Sequence, residues 1–285
     1  MKTTIKFLGS GSAFALADEN YHSNILITRK AEKDEQNFLF DCGTSIPESL
    51  NKFGFIPQDI HSIYISHLHA DHVGGLEYMA FKTYFETYKF GKNAFGTMKP
   101  KLYGDKDVLN DAWEHTLKGG LEAVQGRCNI LTDYFDVVGL SENENFNILG
   151  LEIGEVRTLH AISDKEVEKA FGVYIKDENQ KKVYISGDSN PFQENKDFPI
   201  AKNIKENVFK KIEDADIIFQ DSEFANYPNS VHTQFHQLCE LGSEIKKKMW
   251  LYHYKLNDMS YEELNQEVLE AGFAGLVKRG QEFIL

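Results

Sequence analysis

The chain has 285 residues, enough for one large domain with a substantial core. Hydrophobic residues make up 41% and charged residues 26%, ordinary globular usage that excludes disorder as the main state. Basic side chains number 31 and acidic ones 44, a net charge of −13 that argues against broad, sequence-independent binding to nucleic acid. No apolar run is long enough to span a bilayer, so no membrane partner is expected. Three cysteines, Cys42, Cys128 and Cys239, are too few for a disulfide framework and point to a reducing compartment, read as the cytoplasm.

In chain order, Met1-Lys2 and Ala15-Leu16-Ala17 imitate a secretory leader, but Lys6 and Gly9-Ser10-Gly11-Ser12 break its apolar stretch. Residues 4–8 read instead as a strand entering a glycine turn. Residues 24–28 and 38–41 read as further strands, 45–53 as a helix and 63–66 as a short apolar strand. Residues 75–90 form an amphipathic helix with an aromatic stripe, Phe81, Tyr84, Phe85, Tyr88 and Phe90, which suits a core or dimer face better than base stacking. Residues 101–103 suggest a strand and 107–117 a helix. The second half gives strands at 151–159, 171–175, 183–186, 217–220 and 249–253, and helices at 204–212, 235–247 and 261–271. A last strand lies near 282–285. Strands lead each half and helices follow, which predicts α/β layering in a single domain, 1–285, with two sheets between outer helices.

The chemistry concentrates in Ile63-Tyr64-Ile65-Ser66-His67-Leu68-His69-Ala70-Asp71-His72. An apolar strand ends, and His67, His69, Asp71 and His72 leave it on a tight loop. Imidazole suits borderline divalent metals, and the carboxylate adds a hard, charged ligand. A loop this dense in ligands can serve two adjacent ions, and later strand ends must complete them. His160, Asp188 and His253 each stand where a β-run meets a loop. Any one alone reads as a structural residue. Beside the loop, all three read as ligands.

This set resembles the metallo-β-lactamase fold superfamily over nearly the whole chain, and Phe40-Asp41-Cys42-Gly43 is similar to its early Asp-x-Gly motif. The resemblance implies a four-layer αββα sandwich. It implies a first metal on His67, His69 and His160, a second on Asp71, His72 and His253, and Asp188 bridging both. Zinc is the default ion, with manganese or iron as alternatives. Asp41 would steady the metal loop from behind.

His in place of Glu at the third motif position speaks against the oxygen-handling flavodiiron branch. Ser186-Gly187-Asp188-Ser189 and Phe171-Gly172-Val173-Tyr174 resemble the phosphodiesterase and tRNA 3′-processing branch. The interval from His160 to Asp188 has no room for a tRNA-gripping arm. The chain is most similar to the anti-Pycsar family. Asn20-Tyr21-His22-Ser23-Asn24, residues 66–76, Gly119-Gly120-Leu121, Tyr134-Phe135-Asp136-Val137, Lys248-Met249-Trp250-Leu251-Tyr252-His253-Tyr254 and Gly272-Phe273-Ala274-Gly275 carry that likeness through their order. It implies homodimers that hydrolyse 3′,5′-cyclic nucleotides, including cyclic CMP and cyclic UMP, and so remove an antiviral signal. The compartment would be the host cytoplasm for a phage-encoded chain.

Two bridged ions activate a water for in-line attack on phosphorus, and Asp71 serves at this catalytic centre as well as being a ligand. The departing 3′-oxygen needs a proton. His232, before a helix and after the strand 217–220, is the candidate general acid. Asp221-Ser222-Glu223 reads as supporting or substrate-facing, and His22 as a turn residue that could face substrate. His236, His61 and His115 read as surface or structural. Lys246-Lys247-Lys248 reads as a solvated helix end. Residues 113–121 suggest a lid or dimer contact. Competing readings are an endoribonuclease trimming tRNA 3′ ends, a lactonase or thioesterase on the same metals, and a non-enzymatic sensor.

Overall fold

The apolar runs become strands of two seven-stranded sheets in a computed structural model that describes residues 1–15, 20–32, 34–89, 99–141, 144–193, 198–228 and 230–285. The chain forms two units: Met1–Gly9, Leu16–Glu142 and Arg279–Leu285 in the first, Ser10–Ala15 and Asn143–Lys278 in the second.

In the first unit the strand order is Glu282–Ile284, Lys2–Phe7, Ile25–Lys30, Glu35–Phe40, Ser62–Tyr64, Lys101–Asp105 and Asp136–Leu140. The strands are antiparallel up to Glu35–Phe40 and parallel from there on. Lys2–Phe7 alternates in burial, as a strand with one covered face does. Ser62–Tyr64, in the parallel half, is buried at every residue. Helix Leu76–Lys89 follows the His67–His72 loop. Its Phe81 and Tyr84 rings meet Tyr134 at 6.1 and 5.2 Å, so this part of the stripe is core packing. Phe90 lies outside the described residues.

The second unit repeats the plan. Its order is Gly275–Leu276, Met249–Tyr252, Ile217–Asp221, Lys182–Ile185, Ala170–Lys176, Leu151–Thr158 and Asn145–Ile148. The first four are parallel and the remainder antiparallel. Helix Pro199–Asp214 opens on proline, where no amide donor is missed, and buries Ala201, Ile204, Val208 and Ile212 in this unit's core. Because partners alternate in direction, the C-terminal ends of Leu151–Thr158, Lys182–Ile185, Ile217–Asp221 and Met249–Tyr252 emerge at one end of the sheet.

Several elements differ from expectation. The helix expected over 235–247 is two pieces, Phe235–Cys239 and Ser243–Lys246, because Gly242 is extended and starts the second. The helix expected over 107–117 begins at Lys106, capped by the Asp105 carboxylate, and widens into a π-helical stretch, Ala112–Leu117. Strands Asp136–Leu140 and Asn145–Ile148 were not anticipated. Both close a sheet edge and hold weak strand formers such as Gly139 and Asn145. Of the lysine run only Lys247 stands exposed, paired with Glu244; Lys246 and Lys248 are half-buried, and Lys248 Nζ donates to the Glu213 carbonyl at 2.8 Å, at the end of helix Pro199–Asp214. The cysteines are free thiols, and among the described residues no helix is long and apolar enough to cross a membrane.

Gly187 turns the chain from strand Lys182–Ile185 into Asp188 with φ +59°, and a Cβ there would lie 2.6 Å from the Phe171 carbonyl. Gly187→Ala should cost roughly 1–3 kcal/mol, seen as a lower denaturation midpoint in urea; an unchanged midpoint would contradict this account of the turn.

Candidate metal centre

In the first unit, strand Glu35–Phe40 delivers Asp41 and its parallel neighbour Ser62–Tyr64 delivers Ser66 and His67. Asp41 sits in the left-handed region, φ +62°, and is fully buried. Its carboxylate accepts from the Ser66 amide at 2.8 Å, the Ser66 hydroxyl at 2.9 Å and His72 Nδ1 at 2.7 Å. Ser66 Oγ, its own proton given to Asp41, accepts from His67 Nδ1 at 3.0 Å. The Nδ1 protons of His67 and His72 are thus held, and both rings keep Nε2 as a lone-pair donor. Burial pushes the Asp41 carboxyl above its ordinary range, against the pull of His72 and the Ser66 donors.

His69 caps the short helix Ala70–Val73, which carries Asp71 and His72 inward; His69 itself is exposed. The His67 ring lies 4.7 Å from His69 and 4.2 Å from His72, centre to centre, and Asp71 Oδ2 lies 3.2 Å from His72 Nε2. This loop is clamped from below. Cys42 N–H donates to the His72 carbonyl at 2.7 Å, and Gly75 N–H to the Cys42 carbonyl at 2.8 Å. Gly43 lies so close to the loop that a Cβ on it would stand 2.0 Å from the Asp71 carbonyl oxygen. His22 packs against Gly43, its Nδ1 3.2 Å from the Thr44 hydroxyl. Burial raises the Cys42 thiol well above its ordinary value, which leaves it a packed thiol and no ligand.

In the second unit, the strand ends present His160, Asp188, Asp221 and His253 together. Asp188 Oδ1 is 3.3 Å from His253 Nε2, and Oδ2 is 3.7 Å from His160 Nε2. One far nitrogen is hydrogen-bonded as in the first unit, and the other lies at ion-pair distance from a carboxylate. His160 Nδ1 donates to the Val231 carbonyl at 3.2 Å, and His253 Nδ1 faces Asp221 Oδ1 at 3.4 Å. His253 is also left-handed, φ +59°. Asp221, wholly buried, takes the Ser189 amide at 2.9 Å and His232 Nδ1 at 2.9 Å.

Burial alone would lower His232, but the Asp221 and Asp188 carboxylates overcome it and raise its pKa. Burial would raise Asp221; His232 and His253 overcome that and hold it below the usual carboxylate range. Both directions favour an imidazolium beside a carboxylate. The His232 side chain keeps 22% of its surface open, against 0% for His160 and 1% for His253, so a substrate can reach it.

Each unit therefore gathers its share of the expected residues: His67, His69, Asp71 and His72 in the first, His160, Asp188, His232 and His253 in the second. The donors are carboxylates and imidazoles, buried except for His69, with the tautomers of His67, His72 and His160 set by hydrogen bonds, which fits a divalent ion of borderline softness. His236 bonds Asn226, His61 takes the Asn37 amide, and His115 stands exposed on the π-helical stretch. The dual role of Asp221 was only weakly legible, although it ends an apolar strand just as Asp41 does.

A family model described as Anti-Pycsar protein Apyc1 matches residues 3–283. The Anti-Pycsar protein Apyc1 of Paenibacillus harenae is 30% identical over 253 residues, covering 88% of this chain and 89% of that protein. Unliganded yeast PDE1 aligns over 100% of this chain and 99% of its own, with a TM-score of 0.69 and 13% identity. The metallo-beta-lactamase fold protein YhfI of Bacillus subtilis aligns over 100% of both chains, with a TM-score of 0.65 and 18% identity. At those identities the solved structures establish the metallo-β-lactamase fold.

Asn tolerates the left-handed region as Asp does, so Asp41→Asn isolates the carboxylate charge. It should weaken zinc binding by about 10–100-fold in competition with a chromophoric chelator. Unchanged affinity with an unchanged circular dichroism spectrum would remove Asp41 from its supporting role.

Proposed function

The chain belongs to the Anti-Pycsar protein Apyc1 family, metal-dependent hydrolases of the metallo-β-lactamase fold, and on that premise we propose that it opens 3′,5′-cyclic nucleotides to nucleoside monophosphates. Cyclic CMP and cyclic UMP are among the expected substrates, and the expected consequence is loss of a cyclic-nucleotide antiviral signal. The observation that carries this reading is the Asp221–His232 pair, 2.9 Å apart and next to Asp188.

His67, His69 and His160 would hold one divalent ion and Asp71, His72 and His253 a second, with Asp188 shared. Zinc is the ion these donors suit best. Bound there, the ions would supply Lewis acidity, activating water near neutral pH and offsetting charge on the phosphoryl oxygens. The chain's own residues supply the rest. Asp41, with Ser66 passing on its hold, keeps Nε2 of His72 and His67 in the ligating tautomer. Asp221 Oδ1, 3.4 Å from His253 Nδ1, would orient that ring electrostatically.

Its Oδ2 meanwhile binds Nδ1–H of the His232 imidazolium, which leaves Nε2–H as the proton to give. As the water oxygen bonds to phosphorus it releases one proton to solvent, the P–O3′ bond breaks, and the His232 Nε2 proton goes to the departing 3′-oxygen. His232 then stands neutral against Asp221 until it is reprotonated. The free thiols suit a reducing compartment, and we place the chain in the cytoplasm, acting as a homodimer by its family likeness.

Metal-loaded protein incubated with 3′,5′-cyclic nucleotides, 2′,3′-cyclic nucleotides and a precursor tRNA tests the reading. Opening of the 3′,5′ ring, lost on chelation and restored by zinc, is the expected result. Cleavage of the tRNA alone would overturn it in favour of a 3′-end nuclease. His232→Ala should lower kcat on a cyclic nucleotide by about 10²–10³-fold and turnover of bis(p-nitrophenyl) phosphate far less, because p-nitrophenolate leaves without a proton. Equal losses on both substrates would count against His232 as the proton donor.

A further inference from the structure

Beyond Asp188 the chain makes a tight turn whose buried side chain, Asn190, the chemistry above does not use. Asn190 is 3% exposed. Its Nδ2 donates to the Ser230 carbonyl at 2.8 Å and to the His232 carbonyl at 3.0 Å. Its Oδ1 accepts the Phe192 amide at 3.1 Å, and its own amide donates to the Leu159 carbonyl at 2.6 Å. Between the two carbonyls that Asn190 binds lies Val231 O, which takes the His160 Nδ1 proton at 3.2 Å. Ser230 Oγ adds a local tie, donating to the His232 carbonyl at 2.8 Å and accepting the His232 amide at 3.2 Å.

Successive carbonyls at 230, 231 and 232 are thus all gripped by the elements that carry Asp188 and His160. This segment lies in the connection between strand Ile217–Asp221 and helix Phe235–Cys239. A proton donor on a connecting loop is useful only while its backbone is held. A displacement of about 1 Å can cost roughly 10²-fold in rate. The grip is also mutual, because the carbonyl that fixes the His160 tautomer sits in the segment that Asn190 holds.

We infer that Asn190 is a positioning residue: its carboxamide clamps residues 230–232 to the turn after Asp188 and so fixes both the His232 ring and the His160 tautomer. This rests on the reading of His232 as proton donor. The competing role for Asn190, merely closing its own turn, uses Oδ1 alone.

Asn190→Asp separates the two, because it keeps the Phe192 bond and the side-chain size while replacing the double donor with an acceptor. Turnover of cyclic CMP and of bis(p-nitrophenyl) phosphate is measured at saturating zinc in the wild type, Asn190→Asp, His232→Ala and the double variant. Zinc affinity is measured by chelator competition. Asn190→Asp should lower kcat on cyclic CMP by about 10–100-fold with KM within about 2-fold, and the aryl ester by much less. It should lose little further in the His232→Ala background, and bind zinc about tenfold more weakly. Ser230→Ala, which removes only a hydroxyl, should show a smaller loss confined to the cyclic substrate.

Equal losses on both esters, a loss that persists in the His232→Ala background, or an unaltered kcat would overturn the proposal. Intact cyclic-CMP turnover in His232→Ala alone would instead overturn the proton-donor reading. Zinc affinity of Asn190→Asp would then still decide the His160 half. If Asn190→Asp fails to fold, Asn190→Ala, which removes the double donor without burying a charge, decides by the same substrate contrast.

Discussion

The first unit's share of the centre depends on one hydrogen bond, between the buried Asp41 carboxylate and His72 Nδ1. A carboxylate taken out of water must be met by donors or it forces the surrounding structure to give way. Asp41 meets that demand with His72 and with Ser66, and Ser66 in turn meets His67. Tautomer, ring orientation and the seat of the His67–His72 loop therefore follow from satisfying a single charge. The second unit solves the same problem with Asp221, which answers to His232, His253 and the Ser189 amide. Both carboxylates stand at the end of a parallel strand, beside a neighbour whose own end carries a metal-loop residue.

The sheet plan explains why these residues collect where they do. Each sheet is antiparallel on one side and parallel on the other. Parallel neighbours all release their chains at the same edge, so successive strands deliver side chains to one place although they are far apart in sequence. Buried carboxylates accumulate there: Asp41 and Asp71 in one unit, Asp188 and Asp221 in the other. Such a concentration of negative charge is tolerable with imidazolium or metal ions beside it and costly without them. Divalent ions bound there would therefore stabilise the folded chain as well as serve the proposed chemistry.

Much of this was legible from the residues. His67, His69, Asp71 and His72 stand out because few other roles call for so many coordinating side chains on one turn. His160, Asp188 and His253 follow an apolar run, and an apolar run ending in a polar group marks a strand end. The same rule applied to Asp221, but its two imidazole partners lie in distant loops and no local spacing reveals them. Asn190 left no trace at all, since what matters is which backbone carbonyls it meets. The split at Gly242 and the π-helical widening at Ala112–Leu117 were hidden for a different reason: periodicity marks an apolar face and does not register where the backbone stops following it.

The left-handed backbone at Asp41 and His253 bears on how the centre could evolve. Asn, Asp and His tolerate that region better than most side chains, and β-branched or bulky ones tolerate it poorly. A coordination chemist retuning such a site would exchange a histidine for cysteine or glutamate to favour a different ion. At position 253 that exchange meets a conformational toll before any question of metal affinity arises. On the proposed ligand set, drift toward other ions would fall on His67, His69, His72 and His160, whose backbone carries no such restriction. The proposed ligand sphere would thus have flexible and inflexible corners, set in part by backbone geometry.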